Sequence, residues 1–236
     1  MSILHKMKNY NRFNPYLFSR TSNLRLPIIL VLLSSLLPVW AYSQTQWQLR
    51  KNEDGIKVFS GNAENSEFKM IKVECTLDAT PATLIALLKD IDKKHEWVYS
   101  SKESEVLKIN NPTDFIFYAQ VAVPWPFLDR DYIAHMTINQ VSNNFVTIDV
   151  KSEPNKLPTK QGIIRVVNHG AHWDINDLGN GKSKVVYTVS FDPGGAIPAW
   201  LSNLFVIKAP FETFQTIRTK VQQPKYRNAA FDFKRA

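Results

Sequence analysis

One cysteine, Cys75, stands in a chain of 236 residues. No disulfide can form within such a chain, even in an oxidising compartment. Cys75 lies in the β-like run IKVECTL and reads as a small buried hydrophobe. No GxSxG elbow, Walker loop, dinucleotide glycine pattern, CxxC pair or HExxH helix is present. His169 and His172 are three apart in a strand-like run, so they point to opposite faces and cannot share one ion. His95 falls at a helix end, and His135 alternates with apolar neighbours in a strand. Asp129 and Asp131 flank Arg130, which neutralises the pair instead of raising one carboxylate pKa. That triplet reads as a corner network, not an acid/base dyad. No catalytic residue, metal or cofactor is expected.

Acidic residues are also missing from residues 1–43, which carry Lys6, Lys8, Arg12, Arg20 and Arg25. An apolar run from Leu26 to Trp40 follows, then Ala41-Tyr42-Ser43 with small residues where a signal peptidase reads. Basic, apolar, small is the order of a secretory signal. The run is shorter than the roughly 20 residues that span a bilayer, so cleavage near Ser43 is favoured over an uncleaved anchor. The expectation is export to a periplasm or to the medium. Without this leader the net charge of +8 falls to +3, 24 basic residues against 21 acidic ones. The high pI therefore makes no case for nucleic acid. The remaining 193 residues suit one domain.

No repeat or low-complexity tract interrupts residues 44–224. Trp47–Asn52 reads as a short opening helix or turn, and Asp54-Gly55 as a turn. Ile56–Ser60 and Phe68–Leu77 read as strands. Thr80 and Pro81 start a helix that carries Leu84, Leu87, Leu88 and Ile91 and runs to about Lys94. Strands follow at Ser104–Ile109, Asp114–Val123, Asp131–Gln140, Asn144–Ser152, Gly162–Asn176 and Lys184–Phe191. Their short connections imply antiparallel pairing. Ile197–Gln222 is a long amphipathic helix, with Pro210 placing a kink near Val206. Residues 225–236 read as a frayed, basic polar tail. The class is α+β, with a curved antiparallel sheet gripping a C-terminal helix.

The sheet carries an apolar surplus. Phe115, Phe117, Ala119, Val121 and Val123 share one face of a strand, and Val185, Tyr187, Val189 and Phe191 share another. In an unbroken strand Arg165, Val167, His169, Ala171 and Trp173 share a third. A filled core accounts for such stripes. A ligand cavity accounts for them equally when the helix leaves the concavity open and polar groups such as Arg165 and His169 face inward. An enzyme on this scaffold, a cyclase or hydrolase of hydrophobic compounds, would need a polar cluster around Arg165, His169 and Asp149.

Several motifs in order resemble a StAR-related lipid transfer (START) domain: WQLRKNEDGIKVFS, HEWVYSS, PWPFLDRDY, Gly162–Arg165 with Gly170 and Trp173, and DPGGAIPAWLSN before KAPFETFQTIR. The resemblance implies a helix-grip fold with a hydrophobic cavity for one lipid, no enzymatic activity, and a monomer that touches membranes transiently. The lining it implies is Phe117, Ala119, Val121, Arg165, His169, Trp173, Tyr187 and Val189 on the sheet, with Leu204, Ile207 and Phe211 on the helix. Pro193, Gly194, Gly195, Ile197, Trp200 and Leu201 would form a lid at the mouth. Better-known members of that family act inside cells, so the leader here implies an exported lipid binder.

Overall fold

The computed structural model describes residues 45–62, 69–194, 198, 201 and 203–231. Ten strands form a single sheet among them: β1 Gln48–Glu53, β2 Ile56–Asn62, β3 Lys69–Leu77, β4 Ser101–Asn111, β5 Asp114–Val121, β6 Asp129–Ser142, β7 Phe145–Ser152, β8 Ile163–Arg165, β9 His169–Gly179 and β10 Lys182–Phe191. Their spatial order is β1-β2-β3-β10-β9-β7-β6-β5-β4, with β8 added beside β6. Every pairing is antiparallel except β6 with β8. The sheet is large and curved but not closed into a barrel.

The opening segment is a strand, not a helix or turn. Asp54 and Gly55 both take positive φ, 51° and 71°, the requirement of the tight turn whose twist matches a hairpin. That turn folds Gln48–Glu53 back onto β2, pairing Glu53 with Ile56.

Helix α1, Pro81–Lys89, starts as the residues dictate, with Thr80 Oγ1 accepting from Thr83 N at 3.2 Å and Pro81 in the first turn. It ends five residues before Lys94. Asp90 leaves helical geometry, and a 3-10 segment, Ile91–Glu96, continues to Trp97.

At the C-terminus a π-helical turn, Leu204–Lys208, runs into α2, Ala209–Lys220. Pro210 has no N–H and its ring crowds the carbonyl four residues earlier. The chain widens by one residue there, so that Ala209 N–H bonds Leu204 O, five positions back. Phe211, Phe214, Ile217 and Val221 of this helix and its end are buried on the concave face with Phe115, Phe117, Ile148, Trp173 and Val185. Ile116, Tyr118 and Ile133 form a smaller cluster with Leu107 and Leu157. Odd and even positions of β5 thus fill two separate cores, as the strand period requires.

The expected frayed tail is partly structured. Pro224–Arg227 forms the short helix α3, and Tyr226 is only 3 % exposed. Its hydroxyl donates to Asp90 Oδ2 at 2.6 Å, and Lys225 pairs with the same carboxylate. Lys89 Nζ lies 4.8 Å from the centre of the Phe231 ring. An aromatic side chain that finds both an apolar seat and a charged acceptor holds chain that its polar neighbours would release. We expect Tyr226→Phe, which deletes one hydrogen bond to a charged group, to lower stability by about 1.5–3 kcal/mol in urea unfolding; a frayed tail would show no change.

Candidate functional site

A void of about 200 Å³ lies between the concave face of the sheet and the C-terminal helix. Each wall follows from strand alternation. β5 contributes Phe117 and Val121, β6 contributes Arg130, Tyr132 and Met136, and β9 contributes His169, Ala171 and Trp173. Tyr187, Val189 and Phe191 come from β10. Phe205, Ala209, Pro210, Thr213 and Phe214 close the void from the helix.

The aromatic side chains brace each other. Trp173 stacks against Phe214 at 5.5 Å and meets Tyr187 at 4.4 Å, while Tyr132 stacks on His169 at 4.6 Å. Such contacts add about 0.5–1.5 kcal/mol each beyond the area they bury. They also keep the rings on the walls instead of collapsing into the space.

The corner Asp129-Arg130-Asp131 borders the void through Arg130, and its side chains go to three different places. Asp129 accepts from Gln120 Nε2 at 2.8 Å, Lys102 Nζ at 3.0 Å and Val123 N at 3.1 Å. Asp131 forms a two-pronged pair with Arg165, at 2.7 and 3.0 Å. Arg130, 6 % exposed, turns to the other face and donates to Leu128 O, Pro193 O and Gly194 O. It therefore straps the loop after β10 to the corner before β6. Gly194 N also bonds Asp192 Oδ1, and Gly194 takes φ +66°, a geometry that suits glycine. Alternation sends the three side chains apart, so Arg130 donates to carbonyls and not to its neighbours, while the Asp129 charge still acts on its guanidinium.

The START domain family profile matches residues 37–227. The chain belongs to the START domain family. An uncharacterized Pseudomonas aeruginosa protein, PA1579, is 32% identical over 177 residues, covering 75% of this chain and 87% of that one. The phosphatidylcholine transfer protein of Mus musculus is 26% identical over 168 residues, covering 69% and 78%. Among solved structures, a STAR-related lipid transfer protein fragment from Xanthomonas axonopodis superposes with TM-score 0.68 at 30% identity, covering 75% of this chain and 99% of that one. Human STARD10 superposes with TM-score 0.65 at 21% identity, covering 74% and 72%. The helix-grip expectation for this START domain is thus met.

Of the lining expected in the START domain, Phe117, Val121, His169, Trp173, Tyr187 and Val189 wall the void. Ala119 shares their face but is fully covered. Arg165 is corrected. The expected strand 162–176 breaks at Val166–Asn168 into β8, which pairs with β6, and β9, which pairs with β7 and β10. Parity shifts by one across the break, so Val166 lines the void and Arg165 does not. Arg165 instead bonds Asp131 and the carbonyls of Pro154, Leu157 and Pro158, tying that loop to β6. Asp149, the other residue of the expected polar cluster, pairs with His172 at 2.7 Å and is absent from the walls.

Leu204, Ile207 and Phe211 also miss the void. The extra residue of the π-turn rotates the helix, bringing Phe205, Ala209 and Phe214 inward. Phe211 packs beside β1, with Lys51 Nζ 3.8 Å from its ring centre. Of the expected lid, Pro193 lines the void, Gly194 takes the strap, and Leu201 is fully buried. Gly195, Ile197 and Trp200 lie outside the described residues.

Lys94 is a wall residue that sequence reasoning passes over. It sits in the charged run DKKHE, which resembles an exposed helix end. The three-residue period of a 3-10 segment aligns Ile91, Lys94 and Trp97, and the apolar Ile91 and Trp97, both buried, are the signal that could have found it. Burial pushes the Lys94 ammonium down to about 8. Burial and then the nearby Lys94 charge push His169 from 6.5 to about 4, leaving it neutral at pH 7. Its Nδ1 has no hydrogen-bond partner among the described residues.

Unfolded chain takes up a proton on His169 near pH 6.5, whereas the folded chain does so only near 4. The folded state therefore loses stability as pH falls through that window. We expect His169→Phe, which keeps a ring against Tyr132, to flatten the decline of melting temperature between pH 6.5 and 4.

Proposed function

We propose that this START domain carries one hydrophobic or amphipathic lipid in the void between sheet and C-terminal helix. The observation that carries the reading is an apolar, aromatic-walled void with a strapped loop at its mouth. The phosphatidylcholine transfer proteins and the STAR-related lipid transfer protein among its relatives support the same class of cargo. No serine, cysteine or carboxylate is among the described wall residues, which supports carriage, although Lys94 and His169 stand there.

Release follows from loosening the Arg130 strap. Asp192, Pro193 and Gly194, with the chain that follows them as far as Leu201, act as the lid. Three loops meet at this mouth, because Arg130 joins Leu128 to Pro193 while Asn168 O accepts from Asp192 N at 2.8 Å. They expose Trp125 at 90 %, Val167 at 56 % and Leu128 at 49 %. A tryptophan between two prolines, presented to solvent beside the opening, suits transient contact with the interface of a bilayer. The protein acts as a monomer, exported after cleavage near Ser43, as the basic, apolar, small order of residues 1–43 supports.

Native mass spectrometry of the protein purified from its own source tests carriage. The expected result is one lipid mass per chain, whereas a bare protein mass with no uptake on incubation with lipid overturns the reading. For the membrane contact, Trp125→Ala is expected to reduce vesicle co-sedimentation several-fold while leaving the bound lipid in place; undiminished sedimentation would exclude Trp125 as the contact.

A further inference from the structure

We infer that the cargo has an acidic head, a carboxylate or phosphomonoester, received by Lys94. This rests on the carrier reading above and deepens it.

The described walls carry two cationic side chains, Lys94 and Arg130, and no acidic one. Arg130 spends its donors on three carbonyls, and the Asp129 carboxylate acts on its charge. The Lys94 ammonium is more isolated. Its neighbours on the wall are aromatic faces, with Trp97 at 4.9 Å and Phe117 at 5.2 Å from Nζ to ring centre. Among the described residues no carboxylate lies within ion-pairing distance of it, although Lys93 beside it pairs with Glu96 at 3.6 Å. Of the nearby acids, Glu96 also pairs with Lys220 and Asp90 with Lys225 and Tyr226, while Asp92 is exposed to solvent.

A buried charge without a partner is expensive, and proteins pair it, neutralise it or hold it for a ligand. Cation-π contact softens the expense without supplying a hydrogen-bond acceptor. An acidic head supplies both acceptor and countercharge. A quaternary ammonium head would meet like charge at Lys94, whose ammonium already occupies the flanking aromatic faces.

The test uses the full chain and four probes with sixteen-carbon chains: palmitate, hexadecanol, lysophosphatidate and lysophosphatidylcholine. Affinities are read by displacement of a fluorescent fatty acid at pH 7. Wild type is expected to bind palmitate or lysophosphatidate, or both, about ten- to a hundredfold tighter than the neutral or zwitterionic probe, the scale of a hydrogen bond to a charged group. Whichever acid is preferred identifies the head as carboxylate or phosphate. Lys94→Met should remove that preference, bringing acid and alcohol within about twofold of each other, while Lys94→Arg should restore it. Equal affinity of wild type for palmitate, lysophosphatidate and hexadecanol overturns the acidic head and leaves the carrier reading standing. Binding of none of the four, with a native lipid identified by mass spectrometry, moves the decision to that lipid's head: an acidic head supports the inference, and a neutral or zwitterionic one overturns it. No lipid by either method overturns the carrier reading itself. Should Lys94→Met fail to fold, the comparison of acid with alcohol in wild type still decides.

Discussion

Three consecutive charges on one strand hold three separate pieces of chain, because a strand sends neighbouring side chains to opposite faces. Asp129 gathers Gln120, Lys102 and the Val123 amide, and Asp131 grips Arg165 and through it the loop after β7. Arg130 reaches to the concave side and ties the loop after β10 to the corner. The pair of Asp131 and Arg165 is nearly dry, with side chains 1 % and 6 % exposed, so removing either would strand a buried charge. Without these anchors only three residues of parallel backbone pairing and the Val166 N–H to Asp131 O bond would hold β8 beside β6.

The void exists because the helix does not fill the curve of the sheet. Pro210 forces a wide turn, the turn rotates the helix, and the stripe that faces the sheet then includes Ala209, Pro210 and Thr213. These are small or compact side chains where a regular amphipathic helix would supply larger ones. Stacked aromatic rings hold the opposite walls apart. A local backbone rule at one proline thus becomes space at the centre of the molecule.

Much of this architecture is legible in the chain alone. Strand alternation and helical spacing are local signals, and they place the sheet, the first helix and the last one. The two errors in the lining have one cause. Arg165 leaves the void because the chain slips by one residue at Val166–Asn168, between β8 and β9. Leu204, Ile207 and Phe211 leave it because the helix slips by one at Leu204–Lys208. Periodicity carries no phase across such slips. Pro210 signals the second, but which neighbour a strand pairs with, and hence the first, is decided by distant chain. Lys94 escapes because a charged run is nearly always a solvated surface, and only the 3-10 period distinguishes the member that turns inward.

The strap at the mouth grips main chain. Arg130 reads the carbonyls of Leu128, Pro193 and Gly194, and none of their side chains. Every amino acid supplies a carbonyl, so the two loops can drift in sequence while the latch between them stays the same. The arginine has no such latitude. A lysine offers one point of charge where three acceptors need a planar fork. Among related chains the latch should therefore persist as one invariant side chain closing over loops that differ.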